Sequence, residues 1–132
     1  MKIVNKKNIK IGNLGEDIAS AYVKKRKYNI INRNYREKFG EIDIIAISPG
    51  GILTFFEVKT LIGEDFDFIR KLSPEDNFTK SKFLKLKLVC SLFAVKHQKN
   101  ITLNAGWQID LLAINIDKNN FFIRHYKNVC DL

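Results

Sequence analysis

Cysteine, proline and histidine are each represented only twice in the 132 residues, and every one of these scarcities removes a class of explanation. Cys90 lies within an apolar stretch and Cys130 near the C-terminus, without the spacing of a zinc site; Cys90 reads as a reduced buried thiol rather than half of a disulfide. His97 and His125 are isolated in the sequence, so no histidine nucleophile or general base suggests itself. His97 falls near a helix end, where a cation is favoured. No glycine-rich nucleotide loop is present. The longest apolar stretch, around Leu88 to Val95, is far too short to span a bilayer. No apolar segment of signal-peptide length follows Met1, so the cytoplasm is the expected compartment.

Hydrophobic residues make up 45% of the chain, enough for one domain with a single core. The net charge of +9 is unevenly spread. Residues Gly63 to Asn77 hold Glu64, Asp65, Asp67, Glu75 and Asp76 against Arg70 and Lys71, leaving 21 basic and 9 acidic residues elsewhere, a net of +12. That segment, with Gly63 and Pro74 and no clear period, reads as an acidic loop. The remaining basic surface suits a polyanion.

The most telling stretch is Gly40 to Thr60, where two strongly apolar runs carry Glu41, Asp43, Glu57 and Lys59. Burying an unpaired charge costs several kcal/mol, so these residues are expected to face one another, a metal, or both. The runs read as a β-hairpin, and a three-residue loop of Pro49, Gly50 and Gly51 sets Asp43 opposite Glu57 and Glu41 opposite Lys59. One face then carries Ile42, Ile44, Ala46, Thr54, Phe56 and Val58. The other is apolar near the turn and ends in three carboxylates and an ammonium. A two-residue loop would scatter those charges onto the apolar face. Three acids and a lysine suit a hard divalent cation such as Mg²⁺; a salt bridge of Lys59 with Glu57 or Glu41 on a solvated sheet end is the plainer alternative.

Asn13 reads as the N-cap of a helix running to about Lys27, which would give Glu16, three residues on, a place in a capping box. Tyr28 to Arg36 follows as a strand, with Arg33 and Arg36 as candidate phosphate contacts. Thr79 to about Lys96 reads as a second helix, and Lys80 and Lys82 in its first turn are further candidates. Gln108 to Ile114 and Asn120 to Tyr126 close the chain as strands. Within the first of these, Ile109-Asp110-Leu111-Leu112-Ala113-Ile114 echoes Ile42-Asp43-Ile44-Ile45-Ala46-Ile47, which makes Asp110 a rival of Asp43. Asp43 is preferred because the hairpin sets it against Glu57.

The order Gly15-Glu16, Asn34-Tyr35-Arg36, Gly40-Glu41-Ile42-Asp43 and Glu57-Val58-Lys59-Thr60 resembles the YraN family of small bacterial proteins. That family is itself similar to the PD-(D/E)XK nucleases and, in pattern, to archaeal Holliday-junction resolvases. The resemblance runs from about Gly12 to Asn128. It implies that Glu16, Asp43 and Glu57 are metal-binding acids and Lys59 the catalytic lysine; Glu41, on the same strand end, is a candidate to stand behind them. Ile42 replaces the superfamily's proline before the aspartate, and Leu61 replaces an arginine common after Lys-Thr, which removes one phosphate contact.

The expected fold is a single α/β domain over residues 1–132, restriction-endonuclease-like, in the order αβββαββ with helices packed on a central mixed sheet. The expected function is a Mg²⁺- or Mn²⁺-dependent endonuclease hydrolysing DNA phosphodiesters, with branched DNA as a candidate substrate and a homodimer as a candidate assembly. The alternative is a non-catalytic nucleic-acid-binding or scaffold protein that retains the fold.

Overall fold

A computed structural model describes residues 6–62, 80–97 and 106–129, except for the side chains of residues 6–12 and 80. The elements are α1 (Lys6–Lys25), β1 (Asn29–Glu37), β2 (Gly40–Ile47), β3 (Leu53–Ile62), α2 (Lys80–His97), β4 (Trp107–Asp117) and β5 (Asn120–Tyr126). The acidic loop expected at 63–77 and Cys130 lie outside the described residues. The strands form one sheet in the order β1-β2-β3-β4-β5, with β3 and β4 parallel and the other neighbours antiparallel. This is the mixed α/β sheet the element order predicts.

Helices cover both faces of the sheet, and so the central strands are apolar on both sides. Under α2, Leu86, Val89, Cys90 and Phe93 pack on Ile45, Leu53, Phe55, Ile109 and Leu111. On the other face, Ala19 and Val23 of α1 pack on Ile44, Ala46, Phe56, Leu112 and Ile114. Each of these buried valine, leucine, isoleucine or phenylalanine side chains contributes about 1.5–3 kcal/mol, the reserve against which any charge buried nearby must be set.

The β2–β3 hairpin has the three-residue loop. Ser48 N–H donates to Ile52 O and Gly51 N–H to Ser48 O, both at 2.9 Å, and Gly51 takes the positive φ of 84°. Ile47 pairs with Leu53 and Ile44 with Phe56, the register that sets Asp43 toward Glu57.

The alternation of β2 departs from expectation at one point. Ile42 packs in the α2 cluster, whereas Ile44 packs in the α1 cluster. Its β1 neighbours divide in the same way: Tyr35, paired with Ile42, packs toward α2, and Arg33, paired with Ile44, reaches Asp17 of α1. Between them Asn34 adopts a left-handed φ of 53°, a conformation asparagine tolerates better than most residues, and it lies across from Asp43. Both strands therefore switch faces at the Asn34/Asp43 level.

Helix α1 also differs from expectation. It spans Lys6–Lys25, so Asn13 is interior and Glu16 belongs to no N-cap; a single residue's local preference is a weak prior on where a helix starts. Its end is a Schellman turn at Lys27, φ 70°, with Tyr28 N–H bonded to Val23 O and Lys27 N–H to Lys24 O, both at 3.0 Å.

Gly15 fixes how closely α1 approaches the sheet. A Cβ at this position would stand 1.8 Å from Thr60 Oγ1 and 2.8 Å from Thr60 Cβ. Gly15→Ala gains about 1 kcal/mol of helix propensity but forces an overlap of the kind that costs about 1–3 kcal/mol, more where the backbone must move. Thermal melts should therefore show a lower melting temperature for Gly15→Ala, with part of the loss recovered in the Gly15→Ala/Thr60→Ala double variant. A melting temperature raised by the alanine would refute this packing.

Candidate active site

Beyond the Ile44–Phe56 pair the β2–β3 ladder gives way, and the Asp43 side chain takes over its bonding. Val58 N–H donates to Asp43 Oδ2 at 2.7 Å. Asp43 is buried, 9% exposed, and Glu57 of β3 is half-buried beside it. Burial pushes the Asp43 carboxyl up to about 6 against the pull of the Val58 N–H, and the charges of Glu16 and Glu41 push it further the same way. Glu57 is raised to about 8, first by burial and then by Asp43 and Glu41, while Lys59 and Lys82 pull it down. Burial and mutual repulsion thus favour protonation of both carboxyls, and the two titrate as a coupled pair.

The surrounding groups come from five elements. Glu16 of α1 reaches toward Asp43 and has Arg33 Nη2 at 3.9 Å; Arg33 in turn holds Asp17 Oδ1 at 3.0 Å. Glu41 is largely exposed and paired with Arg36 Nε at 3.4 Å. Arg33 and Arg36 thus neutralise acids around the site. Strand alternation carries Lys59 to the same face as Glu57. These two, with Glu41, line a cleft of about 300 Å³ whose other wall is Lys82, Lys85 and Leu86 of α2. Lys80 starts α2, but its side chain lies outside the described residues. The fold therefore draws together Glu16, Glu41, Asp43, Glu57, Lys59 and Lys82.

Two cleft residues escaped sequence reasoning. Lys85 is one helical turn beyond Lys82, a spacing that signals a shared face. Phe39, from the turn between β1 and β2, forms part of the rim, and a lone aromatic in a turn carries no sequence signal of its own.

Asp110 has a different fate from its sequence twin. It pairs across the sheet with Phe56, not Glu57, and is fully buried. Its carboxylate accepts from His125 Nε2 at 2.7 Å, Gln108 Nε2 at 2.8 Å and Asn128 N–H at 2.9 Å. With Nε2 carrying the proton, His125 Nδ1 accepts from the Tyr22 hydroxyl at 3.1 Å, tying α1 to β4 and β5. His125, isolated in sequence, is thus a buried structural partner. His97 ends α2 stacked on Phe93, ring centroids 4.2 Å apart.

Among the described residues no group of three or more Asp, Glu, His or Cys side chains is placed to hold a metal ion. Asp43 and Glu57 are instead a pair of hard oxygen donors with excess negative charge, the set suited to a cation that binds through one or two carboxylates and keeps much of its water.

The pH dependence of stability follows from these shifts. Both carboxyls have folded values raised above their unfolded ones, so their contribution is fully present below about pH 4 and is lost as pH rises through about 6 and then about 8. In chelator, the melting temperature should fall between pH 5 and 9 by more than Asp43→Asn allows. At pH 8 that variant, which keeps an acceptor for Val58 N–H, should equal or exceed the wild type, by up to about 2 kcal/mol or several degrees. A marked drop would identify Asp43 as half of a scaffold ion pair.

The profile of the uncharacterised protein family UPF0102 matches residues 15–114, a span that includes every acid and lysine of the cleft. A UPF0102 protein of Desulforamulus reducens is 33% identical over 118 residues, covering 89% of this chain and 93% of the relative. One from Carboxydothermus hydrogenoformans is 31% identical over 121 residues, covering 92% and 95%. One from Clostridium beijerinckii is 31% identical over 128 residues, covering 97% and 96%. Similarity that runs through nearly the whole of these proteins assigns the chain to the uncharacterised protein family UPF0102, the same family that the motif resemblance names YraN.

Proposed function

We propose that the protein is a metal-dependent nuclease that hydrolyses DNA phosphodiesters in the cleft between β3 and α2. The observation that carries this reading is the raised, mutually repelling pair Asp43 and Glu57, placed beside Lys59 and faced by Lys82 and Lys85. Strongly perturbed carboxylates in a cleft are costly to maintain and mark functional sites more often than scaffold.

Asp43 and Glu57 would hold Mg²⁺ or Mn²⁺, and Glu16, paired with Arg33 on the α1 side, would add negative charge behind them. When bound, such an ion polarises a phosphoryl oxygen and lowers the pKa of a coordinated water. Lys59 places an ammonium where negative charge develops on the phosphate as the water oxygen adds to phosphorus and the P–O bond to the leaving group breaks. Lys82 and Lys85 hold phosphate oxygens on the opposite wall. Glu41, tied to Arg36, keeps a further negative charge near the pair.

Among the described residues no helix is long and apolar enough to cross a membrane, which leaves β-barrel spans unaddressed. The net charge of +9 supports a polyanionic partner. Affinity for DNA should fall on the order of 10³-fold between about 50 and 200 mM salt, as expected for about six phosphate contacts spread over the basic surface, measured by fluorescence anisotropy. An affinity indifferent to salt would remove the electrostatic basis of the reading.

Lys59→Ala should abolish Mg²⁺-dependent cleavage of labelled duplex, flap and four-way-junction DNA, with binding weakened no more than about threefold, since one ammonium is a small share of a distributed basic surface. Highly purified wild type that binds these DNAs and cuts none with Mg²⁺ or Mn²⁺ would establish the non-catalytic binding module instead.

A further inference from the structure

Phe39 sits where turn chemistry does not call for it. Glu37 pairs with Gly40, so Lys38 and Phe39 form a two-residue connection between β1 and β2. The equivalent β4–β5 connection, Lys118 and Asn119 between paired Asp117 and Asn120, is wholly polar and uses a positive φ of 53° at Lys118. Phe39 meets no such conformational demand, and 54% of its surface is exposed. The described residues include two other exposed phenylalanines, Phe121 and Phe122, both on edge strand β5. Phe39 alone of the three borders the cleft, beside Glu41 and facing Lys82 and Lys85.

A water-exposed aromatic ring at the lip of a cleft floored by carboxylates and an ammonium cannot be serving an apolar small molecule, since the floor is charged. It matches a ligand with an anionic part and a flat π-face held a short distance apart, which describes a nucleotide unit. The cleft, about 300 Å³, lies at the lower limit of ligand sites and takes one such unit rather than a base-paired step. A base still stacked in a continuous duplex offers no free face to the ring. We infer that Phe39 stacks on an unpaired base next to the phosphate held by Lys82 and Lys85, and so selects nucleic acid with a splayed or single-stranded nucleotide over continuous duplex. This rests on the nucleic-acid reading of the cleft and adds to it the structural class of the substrate.

The test compares wild type with Phe39→Ala and Phe39→Trp in chelator, by anisotropy, on a continuous duplex and on the same duplex bearing a single-stranded flap with 2-aminopurine at its base. Phe39→Ala should weaken flap binding about tenfold, the scale of losing one base–aromatic stack, and leave duplex binding within about twofold. Phe39→Trp should bind the flap as wild type does. Flap 2-aminopurine emission should fall on binding wild type and stay high with Phe39→Ala. The flap made of RNA, tested alongside, shows whether the sugar is also read. Equal losses on flap and duplex, or emission quenched equally by wild type and Phe39→Ala, would overturn the role of Phe39 while leaving the phosphate cleft intact. Wild type that binds neither nucleic acid would overturn the nuclease reading and this inference together.

Discussion

Two carboxylates, desolvated side by side, are the constraint on which the arrangement of the rest depends. Asp43 and Glu57 repel each other, and burial favours the neutral form of both. Hydrophobic segregation holds them there. The halves of β2 and β3 nearest the turn, Ile44 to Ile47 and Leu53 to Phe56, are covered on both faces, and the burial of several large side chains offsets a penalty of several kcal/mol at the other end. A slip of one residue would relieve the carboxylates but turn Phe55 and Phe56 to the wrong faces.

The two helices reach the site by different devices. A glycine lets α1 sit directly on Thr60, which brings Glu16 within electrostatic reach of Asp43 and lets Arg33 bridge helix and sheet. Helix α2 packs its apolar side on the opposite face and lets Lys82 and Lys85 lean over Glu57 from its N-terminal half. The kink at Asn34 and Asp43 joins these arrangements. By switching faces at that level, β2 keeps Ile42 in the core while the Asp43 carboxylate turns onto Val58 N–H. A perfectly regular strand pair would have closed its ladder there and left Asp43 without that backbone donor.

Asp43 and Asp110 show how little a local pattern says about charge. Both occupy the second place of nearly identical six-residue apolar strands. Asp110 is surrounded by donors, from His125, Gln108 and Asn128, and its negative charge is absorbed into the fold. Asp43 has one backbone donor and three nearby acids.

Binary patterning determined the order of elements, because period and length separate strands from helices without reference to neighbours. It also determined the hairpin register: Gly51 permits the three-residue loop, and segregation of Ile, Phe and Leu from Glu, Asp and Lys selects one alignment. Glu57 and Lys59 therefore share a face on sequence grounds alone. The start of α1 was not legible, since Asn13 is a good cap in isolation yet lies inside a helix that runs from Lys6. The switch at Asn34 and Asp43 was equally hidden, because a left-handed asparagine becomes favourable only when two helices on opposite faces both demand apolar partners. Tertiary structure alone decided that Asp110 is ringed by hydrogen-bond donors and Asp43 is not, and that Phe39 shares one cleft with Lys82 and Lys85. Each of these joins residues far apart in the chain, and charge, unlike hydrophobic periodicity, takes its energy from whatever stands beside it.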